Sequence, residues 1–173
     1  MYYQFVKTTL QPLAIIEKLI ENAYHWLCLQ RRHHPPNADI WLLRFNWQQI
    51  KASLLQQLRT GNCVFSPVKR IYKRDGHIIH LWCSQDALAL RVIATLLHDE
   101  LTLSTTCTHV KGHGGLKDCV VNVQQKLSQH QYVCKTGVKQ FYQSIDHTIL
   151  LNQMYAQINN KHLRRYLYRR YLY

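Results

Sequence analysis

Tyr132–Leu151 reads YVCKTGVKQFYQSIDHTILL, and three local signals follow one another within it. The β-prone run Tyr132–Val138 predicts a short strand. Phe141 and Tyr142 then form an aromatic corner. Ser144–Asp146 predicts a helix start, because Ser and Asp side chains accept hydrogen bonds from the free N–H groups of a first turn. Leu150, Met154 and Ile158 recur every four residues, the spacing of one packed helix face. A strand that ends in a special turn and leads into a helix is a common mount for chemistry. Here Gly137 stands where chemistry would want a carboxylate.

Around that stretch, the bulk composition points to a polyanionic partner. The 173 residues suit one domain, or one domain with a small appendage, and 47% hydrophobic residues are enough to build a core. A net charge of +13 against nine acids favours nucleic acid first and an anionic membrane surface second, with a merely solvated basic surface as the bland alternative. The excess is uneven: residues 161–173, KHLRRYLYRRYLY, hold five Lys and Arg and no acid. Arg alternating with Tyr suits phosphate contact and base stacking, and suits adhesion to a membrane surface as well.

Six cysteines are scattered without a C-x-x-C pair, no charged leader precedes an apolar signal core, and no run of 18 apolar residues occurs. Reduced thiols in a cytoplasmic protein without a transmembrane segment are the simplest expectation. Cys107, His109, His113 and Cys119 can be drawn as a zinc site, but their spacing fits no standard finger.

Along the chain, residues 1–10 are expected to be extended or frayed. Pro12 opens a helical pattern with Ile15, Ile16, Leu19, Ile20 and Ala23 on one face, extended by Trp26 and Leu27. Arg31-Arg32-His33-His34-Pro35-Pro36 breaks it, leaving the Arg pair as a phosphate contact or a solvated linker. Asn46 is placed to cap a second helix carrying Trp47, Ile50, Leu54, Leu55 and Leu58, and Gly61 to end it. Asp75-Gly76 between the β-prone runs Cys63–Tyr72 and His77–Trp82 predicts a hairpin. Lys69, Arg70, Lys73 and Arg74 gather on or near that hairpin, as a phosphate-contacting finger or simply an exposed charged turn.

Ser84 is placed to cap a long helix through about Leu101, with Leu88, Val92, Ala94, Leu96 and Leu97 available for burial and Asp86 complementing its dipole. Asp99 and Glu100 oppose the dipole at the other end, which argues for an earlier stop. Lys111-Gly112-His113-Gly114-Gly115 precedes a further helical face of Leu116, Val120, Val123 and Leu127. Lys111, His113 and Lys117 around glycines at a helix start suggest a hold on phosphate oxygens, although no P-loop pattern is present.

From about Ala23 to Leu163, these parts in order resemble the N-terminal half of bacterial reverse transcriptases of the group II intron-like kind. The resemblance rests on Trp26–Pro36, the 47–58 helix, Phe65-Ser66-Pro67, the Lys73–Gly76 turn with Leu81-Trp82, and Ser84–Leu88. Its most specific pair is His109–Gly115 (HVKGHGG) and Ser144–His147 (SIDH).

That resemblance implies an α+β right-hand polymerase fold, incomplete. A helical lead-in would occupy 1–60, the fingers 61–131, and the first palm strand and helix, with the basic tail, 132–173. It implies nucleotide-binding roles for Lys73, for Val138 through its carbonyl, and for Tyr142 as the aromatic beneath the sugar. Nucleic-acid contacts would fall to Lys69, Arg70, Arg74, Lys111, His113 and Lys117.

The family's Mg²⁺ chemistry needs carboxylates. The first motif's aspartate is Gly137 here, no Asp-Asp pair occurs in the sequence, and Ile79 replaces an arginine that meets the incoming triphosphate in many relatives. Asp146 is expected to cap a helix. The expectation is therefore a truncated, catalytically silent reverse-transcriptase-like chain that needs no cofactor as it stands. The alternatives are a non-catalytic module that grips RNA or DNA or complements a second chain carrying the rest of the palm, and an unrelated basic protein adhering to anionic surfaces. An unpaired strand at Tyr132–Val138 would also favour association through residues 130–173.

Overall fold

A computed structural model describes residues 13–110, 112–161, 163, 164 and 167. Its elements are α1 (Leu13–Gln30), α2 (Asp39–Phe45), α3 (Trp47–Thr60), β1 (Lys69–Tyr72), β2 (Ile78–Leu81), α4 (Ser84–Glu100), α5 (Gly115–Leu127), α6 (Phe141–Ser144) and α7 (His147–Gln157). The class is mixed helix and strand, and among the described residues the only sheet is the antiparallel pair β1–β2.

Four helices make the core. The α1 stripe Ile16, Ile20, Ala23 and Leu27 faces Leu88, Ala89, Val92, Ile93 and Leu96 of α4. Ile40 and Leu43 of α2 and Trp47, Leu54 and Leu58 of α3 close it. Each such side chain contributes roughly 1.5–3 kcal/mol on leaving water, far more than any helix propensity, so packing decides these helices. Ile158, at the end of α7, and Leu163 join the same cluster. Arg164 fastens that end by donating to the carbonyls of Ile158 (2.6 Å) and Tyr155 (3.0 Å). One core thus draws on α1–α4 and on a segment close to the C-terminus.

Several local expectations are corrected. Ile15 and Ala94 are exposed, lying just off the buried stripes. A separate helix, α2, precedes Asn46, whose amide donates to the Leu42 carbonyl and leaves α3 without a side-chain cap. Gly61 does end α3, in the left-handed conformation (φ 69°). The cap of α4 is Cys83, whose Sγ accepts from the Asp86 amide at 3.3 Å. α4 runs on through Asp99 to Glu100 despite the dipole, because Leu96 is buried and Leu97 and Leu101 are partly buried against the core. Burial, with the Asp86 charge nearby, pushes the Cys63 thiol up to about 11.

Arg31 is neither a phosphate contact nor a linker residue. Its side chain is only 8% exposed. It donates to Ser84 Oγ (2.7 Å), the Trp82 carbonyl (2.9 Å) and Asp39 Oδ1 (3.4 Å). Asp39 in turn accepts from the Ser84 amide (2.5 Å) and hydroxyl (2.7 Å). The end of α1, the start of α2 and the junction between β2 and α4 are clasped together.

The largest correction concerns the opening stretch. Residues 132–138 form no strand, and Tyr132, Val133 and Val138 are 88%, 69% and 67% exposed. A strand is stabilised by its neighbours' hydrogen bonds and packing, and no described segment pairs with this one. The helix that follows forms as expected: Asp146 caps α7 by accepting from the Thr148 (2.8 Å) and Ile149 (3.1 Å) amides. Ser144 instead closes α6, donating to the Phe141 carbonyl. The face Leu116, Val120, Val123 and Leu127 does lie on a helix, but all four are exposed and α5 buries nothing.

Candidate nucleic-acid interface

The β1–β2 hairpin forms where Asp75-Gly76 places it. Gly76 takes a positive φ of 81°, which the turn requires and a side chain would resist. Lys73 N–H donates to the His77 carbonyl (2.9 Å), and Asp75 accepts from the His77 amide (3.0 Å). The base is held to the body: the Ser66 amide donates to Asp86 Oδ2 (2.8 Å), Phe65 meets Trp82 edge-on (6.3 Å), and Trp82 enters the Arg31 clasp. Residues 71–80 are all exposed, as are Lys69 and Arg70. None of Lys69, Arg70, Lys73 or Arg74 enters an ion pair among the described residues. The structure therefore brings these four cations to one projecting element with their charge uncompensated.

The register divides the hairpin into two faces. Lys69 opposes Leu81, Arg70 opposes His80, Ile71 opposes Ile79 and Tyr72 opposes Ile78. Opposed residues share a face and successive residues alternate. Lys69, Ile71, Ile79 and Leu81 therefore lie on one side, and Arg70, Tyr72, Ile78 and His80 on the other. Tyr72 and His80 escape a search for charge runs; the alternation away from the Asp-Gly turn is the signal that finds them.

The glycine-rich loop is less suited to phosphate than its sequence suggests. Gly112, Gly114 and Gly115 all take positive φ (92°, 80° and 70°). A Cβ on Gly114 would collide with the Asp118 side chain, so an acid already lies over the start of α5. An internal carboxylate complements the helix dipole there, and it repels an incoming anion. The loop lines an open cavity of about 690 Å³ with Thr108, His109, Val110 and Leu116, and neither His113 nor Lys117 is among its lining residues. Lys117 is exposed, His113 Nδ1 is buried without a hydrogen-bond partner among the described residues, and Lys111 lies outside them. Gly114→Ala is expected to lower amide-exchange protection across α5. Gly112→Ala meets open space and bears only the strain of its positive φ, so it is expected to lower that protection less than Gly114→Ala, where strain and collision add.

Tyr142 is 82% exposed and packs edge-on to Phe141 (5.3 Å). No hydrogen bond, ion pair or ring contact among the described residues joins Lys73 to Val138 or Tyr142. Gly137 has nothing within 4 Å of where a Cβ would lie.

The residues at the implied Mg²⁺ position do not fit the ion: Gly137 offers no side-chain oxygen, and the Asp146 carboxylate is engaged by two α7 amides. Cys107, His109, His113 and Cys119 are not gathered into a three-ligand metal group. Among the described residues no helix is long and apolar enough to cross a membrane. Of the tail, Leu163 is buried and Arg164 is bonded internally, while most of its arginines and tyrosines lie outside the described residues. No protein-family model matches the chain, and no curated protein matches it.

Proposed function

We propose that the chain is a reverse-transcriptase-like fingers and palm-start module that contacts RNA or DNA through its basic hairpin and does not itself polymerise. The reading rests on the HVKGHGG and SIDH strings and on the hairpin between them and α3. The observation that carries its catalytic silence is the fate of the only acid in the decisive stretch. Asp146 caps α7, and Gly137 leaves the metal-binding position bare.

The polymerase relationship, the cytoplasmic location and a second chain supplying further palm residues belong to this proposal. The cations of the hairpin favour it over general adhesion, because they are held on a fixed element rather than spread over the surface. A primer–template extension assay tests it directly. Purified chain is expected to incorporate no nucleotide with Mg²⁺ or Mn²⁺, and Gly137→Asp is expected to incorporate none either, since no Asp-Asp pair accompanies it. Incorporation that disappears in Asp146→Ala would overturn the assignment of carboxylates. Failure of the chain to bind any oligonucleotide at low salt would remove the nucleic-acid reading.

A further inference from the structure

Resting on that nucleic-acid reading, the geometry points to a site for single-stranded nucleic acid on one face of the hairpin, made by Arg70, Tyr72 and His80 with the turn residues Lys73 and Arg74. The resemblance directs attention to the opposite face, where Ile79 occupies the position of a triphosphate-binding arginine. In this chain that face is aliphatic: Ile71 opposes Ile79, Leu81 opposes Lys69, and Ile71 and Ile79 are only 37% and 38% exposed. It offers one cation at its edge and nothing to hydrogen-bond an anion at its centre.

The other face combines a guanidinium, an imidazole and a phenol within two pairs of opposed residues. Tyr72 is 72% exposed, so its ring is open to a planar partner. Opposed residues stand about 5 Å apart and neighbouring pairs along a strand about 7 Å apart, a spacing that one nucleotide step can span. Arg70 then meets a phosphate while Tyr72 stacks on a base. Only an unpaired base exposes a ring face to Tyr72, which is why the ligand is a single strand and not a duplex. Asp75, the acid nearest in the turn, has its carboxylate turned to the His77 amide.

The test uses the full chain and a fluorescein-labelled twelve-nucleotide oligouridylate at 100 mM salt, read by anisotropy, with an unlabelled duplex of the same length as competitor. Arg70→Ala is expected to weaken binding about tenfold and to flatten its salt dependence. Tyr72→Leu is expected to weaken it about fivefold or more with the salt dependence unchanged, and Tyr72→Phe to restore it, because stacking needs the ring and not the charge. Lys69→Ala, on the aliphatic face, is expected to change affinity less than twofold. All these positions are exposed, so the variants are expected to keep the parent's melting profile. Equal losses in Lys69→Ala and Arg70→Ala, an unaffected Tyr72→Leu, or a duplex that competes as well as the single strand would overturn this site while leaving general nucleic-acid binding intact. A parent chain that fails to bind at 50 mM salt would overturn both.

Discussion

Replacing Arg31 with methionine is expected to lower the free energy of unfolding by about 2–3 kcal/mol, the loss for removing one member of a hydrogen-bonded buried charge cluster. Methionine keeps the apolar stem, so the change isolates the guanidinium. Its removal takes one donor from the Trp82 carbonyl and one from Ser84 Oγ. The loss is not larger because the Asp39 side chain is 46% exposed and keeps the Ser84 amide and hydroxyl. A solvated carboxylate tolerates losing its cation better than a buried one does. Urea unfolding at pH 7 measures the effect. Arg32→Met, in an exposed side chain that hydrogen-bonds to neighbouring His33, is the control and is expected to stay within about 0.5 kcal/mol of the parent. Arg31→Lys does not rescue, since one ammonium cannot reproduce a fork aimed at three oxygens. Ser84→Ala combined with Arg31→Met costs less than the two separate losses together, as members of one network must. An Arg31→Met chain as stable as its parent would mean that the clasp holds nothing. The clasp also fixes the base of the hairpin through Trp82, so its loss is expected to loosen the element that carries the nucleic-acid face.

The clasp shows where sequence stops informing. Arg31 and Ser84 lie 53 residues apart, and nothing in RRHHPP distinguishes a phosphate-seeking arginine from one aimed at the start of a distant helix. α1, α3 and α4 were legible because their apolar residues recur at helical spacing and each meets a partner. α2 was not, because Asp39-Ile40-Trp41-Leu42-Leu43-Arg44-Phe45 is too short and too uniformly apolar to show a period. The hairpin was legible from two residues, Asp75 and Gly76, since that turn depends on local φ and little else. Tyr132–Val138 marks the opposite limit. Its β-prone composition specifies a strand only where another strand accepts its hydrogen bonds, and the described residues hold none. α5 lies between these cases: Leu116, Val120, Val123 and Leu127 announce a helix, and their exposure shows that a periodic face records a preference for cover rather than the cover itself. The candidate site follows the same division. Its charges could be read from the sequence, whereas which of them share a face came only with the register.

Affinity for a single-stranded oligonucleotide is expected to fall about twentyfold between 50 and 200 mM salt, and the size of that fall decides what binds. A single strand releases about 0.7 counterion for each phosphate neutralised. Arg70, Lys73 and Arg74, the three permanent cations on or beside the proposed face, then give a slope of about −2 in log affinity against log salt. Adding Lys69 raises it only to about −3, or about fiftyfold over the same range. If the whole net charge of +13 acted as a diffuse adhesive, the slope would approach −9 and the loss about 10⁵-fold. These outcomes are too far apart to confuse in a titration of labelled oligouridylate at constant pH. A slope between −2 and −3 that shrinks by about 0.7 in Arg70→Ala places binding on the hairpin. A slope steeper than about −5 that is indifferent to Arg70→Ala hands the interaction to the summed surface charge, the terminal arginines included, and the hairpin would then be one exposed basic turn among many. A slope near zero would exclude phosphate contact altogether. The low-salt limb matters as much as the slope. Stacking on Tyr72 does not depend on counterions, so Tyr72→Leu must displace the whole line downward without tilting it. Parallel lines for parent and Tyr72→Leu, with a flatter line for Arg70→Ala, form a pattern that neither diffuse charge nor a structural defect in the hairpin can produce.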